Sequence, residues 1–150
     1  MIGSSFAATD TETLTINATV AATAKLTLGS TTISFADADP DTIAFIPSSP
    51  ASVTVTAKAK ATAGSSVTLT VSGGNLTSGT DTIPISNVAW TASGDAGLQG
   101  GTMNSTTPQT AGTWTGSGNR TGSFGYTLAN SWAYATGNYT ATVTYTLTAP

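Results

Sequence analysis

Cysteine and histidine are both absent from the chain, and Asp, Glu, Lys and Arg together make up only 7% of its 150 residues. The first two absences remove the thiol nucleophile, the disulfide, the imidazole base and every nitrogen or sulfur metal ligand. Most enzyme chemistries lose their acid–base partners with them, so the chain reads as non-enzymatic, with no cofactor and no metal. Positive charge is scarce: Lys25, Lys58, Lys60 and Arg120 are its only basic side chains. Four scattered cations cannot neutralise a run of phosphates, which argues against a nucleic-acid partner. Long apolar runs are missing too. Thr, Ser or Gly interrupts each hydrophobic stretch well short of the roughly 18 residues that a membrane span needs.

What fills the chain instead is small and hydroxylated: 33 Thr, 23 Ala, 17 Ser and 16 Gly. A net charge of only −3 with 39% hydrophobic residues is a composition that can bury one domain core rather than stay disordered. Apolar residues alternate with Thr or Ser at period two, the pattern of half-buried strands. The runs are Leu14, Ile16, Ala18 and Val20; Leu26 and Leu28; Ile33 and Phe35; Val53, Val55, Ala57 and Ala59; Val67, Leu69 and Val71; Ile83 and Ile85 leading to Val88 and Trp90; Phe124, Tyr126 and Leu128; and Tyr139, Ala141, Val143, Tyr145 and Leu147. Gly- and Pro-bearing turns separate them, among them the segment Asp37 to Pro50. Eight or nine strands and almost no helix are therefore expected, in an all-β, immunoglobulin-like antiparallel sandwich. Residues 94–121, rich in Gly, Thr and Asn, read as a long loop or a pair of short edge strands.

The expected organisation is a tail over 1–12, a candidate donor strand over 13–20 and a sandwich domain over 21–150. Ser5-Phe6-Ala7-Ala8 has the small residues of a signal-cleavage site and reads either as the remnant of a removed secretion signal or as a plain tail. Low charge, Thr richness and an acidic pI suit an extracellular or cell-surface location.

Several clusters have chemistry to offer, each with a simpler alternative. Asp37, Asp39 and Asp41 stand at the spacing of the first ligands of a calcium loop, but Pro40 interrupts it and no Glu closes it, which leaves a solvated acidic turn as the expectation. Gly116-Ser117-Gly118 with Gly122 lacks the spacing of a phosphate-cradling loop and reads as a hairpin turn. Lys58 and Lys60 share one strand face, where they keep it soluble or guard an edge. Trp90, Tyr126, Tyr139 and Tyr145 sit on the apolar side of their strands, as core aromatics do, whereas Trp114, Trp132 and Tyr134 stay open to a sugar ligand. Asn17, Asn75, Asn104, Asn119 and Asn138 each begin a sequon, as chance allows in so Thr-rich a chain.

The run Thr13 to Val20 has the cleanest alternation, between a tail and the small-residue spacer Ala21 to Ala24. It reads either as a strand of its own domain or as a detachable one. The segments LTINATVAATAKLTL, ASVTVTAKAKATAGSSVTLTVSGG and GNYTATVTYTLTAP resemble the start, middle and end of secreted fimbrial subunits, of the spore coat U type and of colonisation-factor pilins. That resemblance implies an incomplete immunoglobulin-like sandwich completed by the N-terminal strand of the next subunit, hence a homopolymeric extracellular filament, a pilus or fimbria acting in cell adhesion. By the same likeness Leu14, Ile16, Ala18 and Val20 would be the donor knobs, and Tyr139, Ala141, Val143, Tyr145 and Leu147 would lie at the acceptor groove. It also implies a secretion chaperone and an outer-membrane assembly machinery as partners. The ending YTATVTYTLTAP resembles WxL cell-wall-binding domains as well, with Tyr145 where their Trp stands, which implies instead a monomeric peptidoglycan- or carbohydrate-binding module.

Overall fold

The computed structural model describes Gly3 and residues 7–150; Ser5 and Phe6 of the cleavage-like tetrapeptide lie outside the described residues. Strand forms wherever alternating apolar side chains find a shared interior. The strands are β1 (Thr23–Leu28), β2 (Ser34–Phe35), β3 (Phe45–Ser49), β4 (Val53–Lys60), β5 (Ser66–Gly73), β6 (Leu76–Ser78), β7 (Asp81–Ile83), β8 (Val88–Gly94), β9 (Gly101–Thr102), β10 (Gln109–Thr115), β11 (Gly118–Ala129) and β12 (Val143–Thr148). A single 3-10 turn, Ile85–Asn87, lies between β7 and β8. These strands build an all-β sandwich of antiparallel sheets.

The first sheet is organised by β11, the longest strand. One edge of β11 pairs with β4 through Gly118 to Phe124 and then with β3 through Thr127 to Ala129. Its other edge pairs with β8, from Gly122↔Gly94 to Leu128↔Val88. Beyond β4 lies β1, beyond β3 lies β2 and beyond β8 lies β9. The second sheet has only three strands, in the order β10-β5-β12, and β6 and β7 form a separate hairpin. Phe124, Leu69, Val55, Val67 and Val71 are fully buried between the two sheets. Burying side chains of this size contributes about 1.5–3 kcal/mol each, and Thr on the alternate positions meets water.

The sandwich has two distinguishable poles. At one, Thr23 pairs with Lys60, Gly118 with Ala59, and Thr148 with Thr68. This pole is closed: Ala57, Ala59, Val67 and Trp114 form a small second core, and the Arg120 guanidinium lies 5.7 Å from the centroid of the Trp114 ring. At the other pole β11 ends at Ala129, β8 begins at Val88 and β12 begins at Val143.

Several expectations are corrected here. Of the two readings of residues 94–121, the pair of short edge strands is the nearer: β9 and β10 lie at sheet edges, but Gly118 to Thr121 opens β11, an interior strand. Gly122 carries no side chain because β8 crosses it closely; a Cβ there would lie 2.1 Å from the Ser93 carbonyl oxygen. This stretch is Gly-rich because of close backbone approach, not because it is loose. The Asp37–Pro50 turn contains β3, whose Ile46 and Ser48 point inward. Gly116 to Gly118 passes from one sheet to the other rather than closing a hairpin, with Ser117 Oγ donating to the Ala61 carbonyl at 3.2 Å. Lys58 and Lys60 guard no edge, since β4 lies between β1 and β11. The last run enters its ladder only at Val143, although Thr140 forms a lone bridge with Thr77.

Candidate functional site: an open groove and an unpaired segment

Past Val143 the second sheet ends, while the core continues beneath it. An open groove of about 1180 Å³ results. Its walls are residues 32–40, which follow β1, and residues 134–143, which precede β12. Ile46, Leu76, Ile83, Ile85, Val88 and Leu128 line it, and each of these is also part of the buried core. The groove is thus the core seen from outside, in the shape left between two chain segments that do not pair with each other.

Among the described residues the Thr13 to Val20 run has no ladder partner and forms no strand. Leu14 is 83% exposed, Ile16 84% and Val20 75%. Three large aliphatic side chains of one alternating run thus stand in water. Ala18 is exposed beside them. The segment leaves the domain at Thr23, at the closed pole, opposite the groove.

Of the five residues expected at an acceptor groove, Tyr139, Ala141 and Val143 line it. Tyr145 and Leu147 lie deeper, in β12. The Tyr145 ring stacks on Phe124 with centroids 5.7 Å apart, and its hydroxyl meets that of Tyr126 at 2.7 Å. Burial pushes the Tyr126 phenol above its ordinary pKa, partly offset by the bond to Tyr145. Burial raises Tyr145 still further, reinforced by the negative charge that Tyr126 would carry and by their shared hydrogen bond. Neither is poised for acid–base work at neutral pH.

The aromatics left open to a sugar separate in the folded chain. Trp114 is buried in the closed pole, which corrects its assignment as an available aromatic. Tyr134 is half-buried, with its hydroxyl accepting from Asn87 Nδ2 at 2.7 Å and donating to the Ala129 carbonyl at 2.8 Å. Trp132 is 70% exposed at the groove mouth, its indole N–H donating to Asp41 Oδ1 at 3.1 Å. Asp39 Oδ1 accepts the Asp41 backbone N–H at 2.9 Å, so the acidic turn is held by its own carboxylate. Among the described residues no three potential ligands converge as a metal site. No helix there is long and apolar enough to cross a membrane.

Sequence reasoning missed the groove lining, because Ile46, Leu76, Ile83, Ile85 and Val88 carry only the signature of core. Nothing local marks a core residue as uncovered. Compared with known proteins, the chain matches no protein-family model, no curated protein and no solved structure at a significant level.

Proposed function

We propose that the protein is the structural subunit of an extracellular filament, polymerising head-to-tail as residues 13–20 of one copy fill the groove of the next. The observation that carries this reading is the presence in one chain of an exposed, alternating apolar segment with no ladder partner among the described residues and of an apolar groove that those residues leave open. An extended eight-residue segment adds backbone hydrogen bonds at an unpaired edge, and alternate side chains fill the space beneath, which is β-augmentation. Leu14, Ile16 and Val20 would contribute about 1.5–3 kcal/mol each on burial, before ordering costs.

Chain length favours a second copy over self-insertion. Only two residues, Ala21 and Ala22, separate Val20 from Thr23, so Val20 stays within about 10 Å of it. The groove begins beyond the other end of β1, a strand of six residues or roughly 17 Å at about 3.3 Å per residue. Val20 cannot reach its own groove. Donor and groove are different surfaces of one molecule, so their contact propagates instead of closing.

Microscopy and light scattering on purified protein test the reading, beside an Ile16→Asp variant. Wild type is expected to form filaments. The variant is expected to stay monomeric with an unchanged melting temperature, since Ile16 is 84% exposed in the monomer and a carboxylate in the groove costs several kcal/mol. A wild type that never assembles, or a monomer destabilised by Ile16→Asp, would overturn the proposal.

A further inference from the structure

The few charges of the domain are sorted between its poles. Lys60 pairs with Thr23, where the N-terminal segment departs, and Lys25 stands directly opposite Lys58 on the neighbouring ladder positions. The other ladder partner of Lys58 is Asn119. Like charges placed directly opposite destabilise a sheet, and an acidic partner would relieve that repulsion. Arg120 caps the same pole over Trp114.

The acids gather at the groove. Asp37 and Asp39 line it, and Asp41 is held beside it by Trp132. Asp81 pairs with Ser78, which packs against Gly137 of the groove wall. Together with desolvation, Asp81 raises the pKa of the Tyr139 phenol on that wall. Asp95 is the exception: it follows Gly94 at the end of β8 away from the groove, and its carboxylate accepts from the Thr121 backbone N–H at 2.7 Å and from its hydroxyl.

We infer that the groove pole docks the basic pole of a second copy, with Asp37, Asp39 and Asp41 facing Lys25, Lys58 and Lys60 across the junction, so that charge steers and orients filament growth. The inference rests on the strand-exchange reading and adds an interface between domains that strand insertion alone does not require. The two-residue spacer keeps the two domains close. With Val20 at the groove mouth, Thr23 and Lys60 of the incoming copy stand about 10 Å away, beyond the Debye length of about 8 Å at physiological salt and well within that of about 30 Å at about 0.01 M, so the attraction is strongest at low salt. Direction follows as well: the donor enters with Leu14 toward Val143 and Val20 toward Trp132, antiparallel to residues 134–143. Complementary poles accelerate encounter and reject the reversed orientation, which would bring lysine to lysine.

The test uses full chains refolded as monomers, with growth followed by light scattering. From about 0.01 M to about 1 M salt the Debye length falls from about 30 Å to about 3 Å, and wild-type elongation should slow by roughly tenfold or more. One variant reverses the groove pole with Asp37→Lys and Asp41→Lys, leaving Asp39 to hold its turn. A second reverses the other pole with Lys25→Glu, Lys58→Glu and Lys60→Glu. Each alone should elongate at least about tenfold slower than wild type at low salt. An equimolar mixture should recover the wild-type rate as an alternating copolymer, because each groove then meets an oppositely charged pole. That recovery also shows both variants to be folded. Should a reversed variant fail to fold, Asp37→Asn with Asp41→Asn replaces it, and loss of salt dependence is the expected result. Wild-type growth indifferent to salt, or variants that grow alone as fast as in mixture, overturns the charge pairing and leaves strand exchange standing. A wild type that forms no polymer at any salt overturns both.

Discussion

The hydroxyl of Tyr126, on β11 of the first sheet, lies 2.7 Å from the hydroxyl of Tyr145, on β12 of the second. The bond ties the two sheets together two residues inside the groove wall, where Val143 begins β12. It lets two large aromatics carry a polar atom into the core without leaving it unpaired.

Removing one hydroxyl strands the other. Tyr126→Phe and Tyr145→Phe should each cost about 1–3 kcal/mol, the penalty of an unsatisfied buried group. The double variant should cost clearly less than the sum of the two. Urea melts of the four proteins give the coupling energy, and strictly additive losses would show that the bond contributes nothing.

The same pair makes stability fall at high pH. Both phenols titrate above their ordinary 10.0 in the folded chain. Below pH 10 folded and unfolded chains both hold these protons, and the contribution is fully present. Above it the unfolded chain releases protons that the native chain keeps, so stability declines as pH rises, by up to about 1.4 kcal/mol per pH unit for each phenol. Melts from pH 8 to 11.5 should show this slope in wild type and a shallower one in the double Phe variant.

Gly122 has no room for a methyl group. Gly122→Ala would drive a Cβ into the Ser93 carbonyl and into Leu98, parting β8 from β11 at a cost of about 2–4 kcal/mol. Gly116→Ala makes the useful contrast, because space is open there and only its positive φ of 71° resists the change. Thermal melts should rank Gly122→Ala well below Gly116→Ala.

The acidic turn holds itself through Asp39 and Trp132. Excess calcium or a chelator should therefore shift the melting temperature by less than about 2 °C, under about 1 kcal/mol for a domain this size. A rise of many degrees with calcium would reveal a bound ion.

Legibility in the sequence tracked the size of the alternating side chains. Val53 to Ala59 and Val67 to Val71 were readable as strands because large or uniform apolar residues recur at every second position, and both are buried on that face. The first half of β11 was not, since Gly118, Gly122 and Arg120 offer no apolar alternation; its place is set by β4 and β8 pressing from both sides. Trp114 looked available because nothing beside it in the chain is large, yet it packs against Ala57, Ala59 and Val67 from other strands.

The sequence by itself determined the all-β class and the apolar alternation of Leu14, Ile16, Ala18 and Val20, because the period of two is a local property of the backbone. It also determined what chemistry is missing, since absent side chains cannot be restored by folding. Tertiary structure alone decided that this segment finds no partner among the described residues, that Ile46, Leu76 and Val88 lie under an open groove, and that the three lysines and all of the domain's aspartates but Asp95 collect at opposite poles. Each of these depends on which strands become neighbours across 20 to 100 residues of chain, a choice made by packing and not by any single run of residues.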